Sequence, residues 1–363
     1  MTKLLNIATA AALSVAAIAP HGASAQAPAL KRVATSDSMI WNAVAVSHDR
    51  IFVAGPRWTG SRGPQLAIIA NGVKPRPFPD TAWNSWRPGA DNGAAFININ
   101  AIHMDSEGNL WIVDTGSPEF GGDPLPRGAK LVRIDLKADK VDRVIQLGPD
   151  LALPGSYVDD IRFNGDHAYL TDAGRPGIIV LDVATGMGRR VLEDHPAATA
   201  RDGRPIVLSG QPVRGPDGKP LKVHSDPLEV SPDGRWLMFG PLEGPWSRVP
   251  TSLLDNHTVP AHDLAAAVEP WAGLPPVGGT AIASDGSLYF ADLAEDSIKV
   301  RRPDGSIDTL VTDHALHWVD APFLDADGKL WLPVPQMDRV GLFHGGKSEM
   351  RWPVALYTLE TSR

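Results

Sequence analysis

Asn100-Ala-Ile-His-Met-Asp-Ser-Glu-Gly-Asn-Leu-Trp-Ile-Val-Asp114 sets a polar residue before an alternating apolar run, then a Gly-containing turn and a second apolar run. Asp320-Ala-Pro-Phe-Leu-Asp-Ala-Asp-Gly-Lys-Leu-Trp-Leu-Pro333 repeats it. Period-two alternation broken by a turn residue that tolerates positive φ is the pattern of a β-hairpin. Four more copies begin at Asn42, Asp160, Asp226 and Thr280, with turns such as Asp233-Gly234 and Asp285-Gly286. The six starts are spaced by 40 to 66 residues. Each interval leaves room for two further strands, as in Leu131-Val-Arg-Ile-Asp135 and Gly177-Ile-Ile-Val-Leu-Asp182.

Four strands per repeat make a blade that cannot bury both faces alone, so successive blades pack face to face around an axis. The expected fold is all-β: a six-bladed β-propeller of four-stranded antiparallel blades around a central channel. Ring closure requires the segment before Trp41 to pair with strands from residues 340–357. A seventh, degenerate blade and a pair of β-sandwiches are the alternatives. No Trp-Asp pair closes a repeat, which sets the chain apart from the WD-repeat class.

The first 25 of 363 residues read as an export signal: Lys3, an Ala-rich apolar stretch from Leu4 to Pro20, and Ala23-Ser24-Ala25 as a cleavage site. An uncleaved anchor helix is the alternative. The mature chain, 26–363, is then expected as a single exported domain, periplasmic or secreted, with no later membrane span. The 35 Gly and 33 Pro residues favour turns over long helices, and the lack of cysteine removes thiol nucleophiles and thiolate metal sites. A net charge of −8 without a Lys/Arg cluster argues against nucleic acid as a partner and leaves a small-molecule ligand or substrate. Insertions at 55–96, 116–128, 195–222 and 252–272 are candidate walls of a site; the last includes a helical pattern over Asp263–Glu269.

Innermost strands line the channel, and the repeat starts sit at its mouth: Asn42, Asn100, Asp160, Asp226, Thr280 and Asp320. Their oxygens suit a ligand or a hard divalent cation such as Ca²⁺ or Mg²⁺; strand capping or solvation is the alternative. In the doublet Asp159-Asp160 alternation lets one residue face the channel, and the register selects Asp160. Asp160, Asp320 and His224 are the candidate catalytic groups, His224 as a general base. His224-Ser225-Asp226 is no hydrolase triad, since consecutive strand residues do not form that relay, and no G-x-S-x-G motif occurs. His317 stands similarly to His224, while His103 reads as structural. Trp41 and Trp318 suit stacking on a ligand ring or packing between blades. Asp325 and Asp327 read as turn residues rather than a calcium loop.

With 100–116, 157–174, 177–182, 224–242, 246–254, 278–292 and 318–332 in series, the chain resembles the yellow / major royal jelly protein family in its bacterial branch. That family is similar in architecture to the gluconolactonase / SMP-30 propellers. The resemblance implies a secreted six-bladed propeller. It leaves three functions open: a small-ligand binding protein, a metal-assisted lactone hydrolase or dopachrome-type tautomerase, and a partner-binding scaffold. Lactonase-like propellers bind their metal with a Glu plus Asn and Asp residues; the likeness implies Asn100, Asp160 and Asp320 as the metal set here, while the Glu is missing near Asn42.

Overall fold

The computed structural model describes Met1, residues 29–69 and residues 74–361. The expected export signal and its cleavage site lie outside the described residues. Six four-stranded antiparallel sheets follow one another around the chain, and in five of them the innermost strand is first in sequence. The innermost strands are Ala43–Ser47, Ile99–Met104, Val158–Asn164, Ser225–Val230, Val277–Ile282 and Phe323–Leu324. We number the blades 1 to 6 in that order. Blade 6 is closed from both ends of the chain: Lys31–Ser36 pairs antiparallel with Val354–Glu360 and forms its outer edge. The fold is therefore a six-bladed propeller, and the closing pairing is the expected one.

Blade faces are covered by their neighbours, so the core divides into inter-blade layers. Phe52 and Leu66 of blade 1 pack on Ile99, Ile112 and Val132 of blade 2. Trp111 and Leu131 of blade 2 meet Ile161 and Leu170 of blade 3. Tyr169 and Ile178 of blade 3 meet Leu228 and Phe239 of blade 4. The ring ends with Trp41 and Val53 of blade 1 against Val354 and Leu356 of blade 6. Each such buried side chain contributes roughly 1.5–3 kcal/mol, so the ring is held by many similar interfaces.

The hairpin motif has a local explanation. Asp105 accepts the amides of Glu107 and Asn109 through Oδ1 and the Trp111 indole N–H through Oδ2 at 2.8 Å. Asp325 does the same for Asp327, Lys329 and Trp331. One carboxylate thus shapes the turn and anchors the aromatic residue across it.

A second recurring Asp ends the second strand of blades 2, 3 and 5. Asp114 accepts the amides of Ile97, Asn98 and Gly116 and the Lys130 ammonium at 2.7 Å, all buried. Asp172 accepts the Tyr157, Gly174 and Arg175 amides, the Ser156 hydroxyl and Arg190. Asp292 holds Lys299 and the Ala294 amide. In blades 2 and 3 this brace fixes the start of the inner strand, where the channel residues stand.

The insertion at 252–272 contains two short helices, Thr251–Asp255 and Ala261–Ala266. The expected helical pattern over Asp263–Glu269 is thus met only up to Ala266; Glu269–Ala272 is the outer strand of blade 4. Among the described residues no helix is long and apolar enough to cross a membrane.

Candidate functional site

Inner strands of blades 2 to 5 share an irregularity. Their register against the second strand slips between Ile99 and Ala101, Val158 and Ile161, Ser225 and Leu228, and Val277 and Thr280. A bulge at this position re-aims the side chains at the strand entrance. The result is a cavity of about 300 Å³ at one mouth of the channel, into which Asn42, Asn100, Asp159, Asp226 and Asp320 converge.

Two expected members of this ring lie elsewhere. Because of the bulge, Asp159 faces the mouth, and Asp160 turns toward the bore and the opposite mouth, bonded to Arg162 at 2.8 Å. Both members of the doublet thus face the channel, Asp159 at this mouth and Asp160 deeper in the bore, where strict alternation allowed only one. Thr280 is buried and donates its hydroxyl to Glu229 Oε1 at 2.8 Å, at the opposite mouth. Gly278 takes its place at the mouth, where blade 5 offers backbone alone. A Cβ on Gly278 would run into the Val319 carbonyl of the neighbouring blade. Gly278→Ala should therefore cost about 1–3 kcal/mol, read as a lower denaturation midpoint with an unchanged m-value.

Of the two expectations for Trp41, packing between blades is the one the structure shows. Trp41 is 0 % exposed, packs between blades 1 and 6, and donates its indole N–H to the Ala355 carbonyl at 3.1 Å. Trp318 lines the cavity.

The polar floor is a directed network. The Trp58 indole N–H donates to the Tyr157 hydroxyl at 2.8 Å, and that hydroxyl donates to Asn100 Oδ1 at 2.8 Å. The Asn100 amide donates to Asp159 Oδ1, and Asp159 shares a hydrogen bond with Asp226. Asn42 donates to the Asn100 carbonyl at 2.8 Å, while its own Oδ1, in a side chain 2 % exposed, has no partner. Among the described residues no Lys or Arg forms an ion pair with Asp159, Asp226 or Asp320. Burial, followed by mutual repulsion, holds Asp159 and Asp320 well above the usual carboxylate range. Burial also lifts Asp226 to about 7. The Asp159–Asp226 pair thus keeps a shared proton near neutrality.

The walls are apolar. Trp58, Phe120, Tyr157 and Phe343 form an aromatic cluster with ring centroids 4.8–6.0 Å apart. Leu221, Val223 and His224 at the end of the 195–222 insertion form another side. The Ala200 amide donates to His224 Nδ1 at 3.1 Å, and burial keeps the ring neutral, so its proton sits on Nε2. His224 therefore presents its Nε2–H to the cavity, whereas the expected general base would need an unprotonated nitrogen there.

The opposite mouth is a separate cavity of about 740 Å³. Its inner end is closed by Arg162, which holds Glu229 through Nε and Nη2 at 2.9 and 3.0 Å and Asp160 through Nη1. His103 lines this cavity, and burial together with Arg162 keeps it uncharged.

The oxygen donors at the first mouth are of the type a hard cation takes. The expected set of Asn100, Asp160 and Asp320 does not form a cage: Asp160 is engaged by Arg162, and Asn100 by Tyr157 and Asp159. Among the described residues no group of three or more His, Asp or Glu side chains is placed to hold a metal ion.

Fold and cavity define a six-bladed propeller with a polar-floored, aromatic-walled pocket at one channel mouth. The family model for major royal jelly protein matches residues 98–339. The chain belongs to the major royal jelly protein family. Among solved structures it is similar to a putative gluconolactonase, at 12% identity and TM-score 0.55, with 92% of each chain covered. It is also similar to virginiamycin B lyase from Staphylococcus aureus, at 11% identity and TM-score 0.53, covering 92% of this chain and 100% of that one. A streptogramin B lyase structure aligns at 11% identity and TM-score 0.52, covering 92% and 98%. At these identities the likeness is one of fold. No curated protein sequence matches the chain.

Trp58 and Phe120 reach the cavity from two of the insertions expected as walls, whereas Tyr157, Met337 and Phe343 come from blade connections that carried no signal in the sequence. The doublet Gly278-Gly279, parallel to Asp159-Asp160, was the available signal for the bulge.

Proposed function

We propose that the protein is an exported binding protein that takes a small organic molecule at this mouth, its apolar or aromatic body against the walls and a cationic head on the floor. The observation that carries the reading is the group of three carboxylates, Asp159 buried and Asp226 and Asp320 half-buried, without a cationic partner and beside the unpaired Asn42 Oδ1. Desolvation and mutual repulsion suppress their ionisation, and a cation supplied from outside would relieve both, so this floor is complementary to one. His224 Nε2–H and the Tyr157 region add orientation.

Binding of a cation favours the ionised dyad, so affinity should rise as pH increases through about 7, with release of protons. Isothermal titration with benzamidinium, benzamide and benzoate tests this, since the three share one shape and differ in charge. The expected order is benzamidinium first by at least tenfold, with a heat that depends on buffer ionisation and a preference lost in Asp320→Asn. Equal affinity for all three, or tightest binding of benzoate, overturns the reading. Titration with CaCl₂ or MgCl₂ alone is the parallel arm: saturable binding that displaces benzamidinium assigns the floor to a divalent cation.

A second reading follows from the shared proton of Asp159 and Asp226. A carboxyl pair that exchanges one proton near neutral pH is suited to general acid–base work, as in a tautomerase or a lactone hydrolase. Turnover of a dopachrome or lactone panel that disappears in Asp159→Asn supports it.

A further inference from the structure

The connection from blade 5 to blade 6 contains a histidine whose two nitrogens both face carboxylates. His317, 5 % exposed, places Nδ1 3.0 Å from Asp296 Oδ1 and Nε2 2.9 and 3.0 Å from the Asp338 oxygens. An ionised carboxylate only accepts, so both ring nitrogens must carry protons, and the ring is an imidazolium. The next residue, Trp318, is 5 % exposed and stands at φ +56, a left-handed conformation that is costly for a bulky side chain. Its ring lines the cavity, and its indole N–H is directed at the Asp320 carboxylate. Met337, the neighbour of Asp338, lines the same cavity.

We propose that His317, clamped between Asp296 and Asp338, is a positioning residue that holds Trp318 in its left-handed conformation and so sets the Trp318–Asp320 side of the pocket. The effect on ligand affinity rests on the reading of the mouth as a binding site; the clamp itself does not. The charged groups facing His317 are Asp296, Asp338 and Arg339, with His314 sharing Asp296 at 3.2 Å. Burial works against the charge on His317, but the two carboxylates and their hydrogen bonds outweigh it and lift the ring to about 9, while Arg339 opposes them. A free histidine loses its proton near 6.5. The clamp's contribution to stability is therefore complete below about 6.5, declines above that, and is lost as pH passes through 9.

Side-chain ¹H–¹⁵N NMR of the full chain should show His317 doubly protonated at pH 7 and titrating near 9. Near-ultraviolet circular dichroism should lose the band assigned by Trp318→Phe above pH 9, and in His317→Gln at every pH. Benzamidinium, which keeps its charge across this range, should bind about fivefold to tenfold more weakly to His317→Gln. A His317 ring titrating below 7, or a Trp318 band unchanged in His317→Gln, overturns the proposal. If His317→Gln does not fold, Asp338→Asn decides: it should lower the His317 titration by at least one pH unit, and an unmoved titration refutes the clamp. If benzamidinium fails to bind wild-type protein, the binding-site reading fails, while the NMR and dichroism still decide the clamp.

Discussion

Asp226→Asn should make the protein more stable at pH 8 by about 1–3 kcal/mol and leave it nearly unchanged at pH 4, while abolishing the charge preference of the pocket. An unfolded aspartate ionises near 4, whereas burial holds the folded carboxyl to about 7. The folded state therefore binds more protons between those values, and stability falls as pH rises from about 4 to 7. Above 7 the cost of the buried charge is fully present. The shift of about three units sets a ceiling near 4 kcal/mol, and sharing of the proton with Asp159 lowers the expectation. Asparagine keeps the shape and a hydrogen bond to Asp159 without the charge. Urea denaturation at the two pH values checks the sign, and the benzamidinium, benzamide and benzoate series checks the loss of preference. A gain equal at both pH values would show that the carboxyl is not strained by burial. A group that destabilises the empty protein but serves a ligand is the pattern expected of a functional site.

Lys130→Met should have the opposite consequence, a loss of about 3–5 kcal/mol, because it leaves Asp114 buried without its cation. The pair is fully buried, and the Lys130 ammonium is further held by the Asn92 and Gly128 carbonyls at 2.9 and 3.0 Å. Asp114 also anchors the Ile97 and Asn98 amides at the start of the blade 2 inner strand, two residues from Asn100. Damage to the brace should therefore reach the pocket as weaker benzamidinium binding, not only as a lower denaturation midpoint. The double variant Lys130→Met with Asp114→Asn should recover part of the lost stability, since no uncompensated charge remains while an acceptor is kept for the amides. A midpoint within error of wild type in Lys130→Met would refute the account of the brace.

Sequence alone determined the repeat, the blade count and the ring closure. Those features rest on local rules: period-two alternation, Gly and Asp at turns, and the need of each blade to be covered by the next. Asn42, Asn100, Asp226 and Asp320 were legible as channel residues because they keep one position in each repeat. What only the tertiary structure decided was which side chain faces which mouth. The bulges at the inner-strand starts break the alternation on which the choice of Asp160 and Thr280 depended, so Asp159 and Gly278 stand at the mouth instead. A bulge is an agreement between two strands and their neighbours, and a one-residue slip reverses the face of every residue beyond it. The aromatic walls are tertiary for a similar reason: Trp58, Tyr157 and Phe343 come from three different connections and become neighbours only when the ring closes.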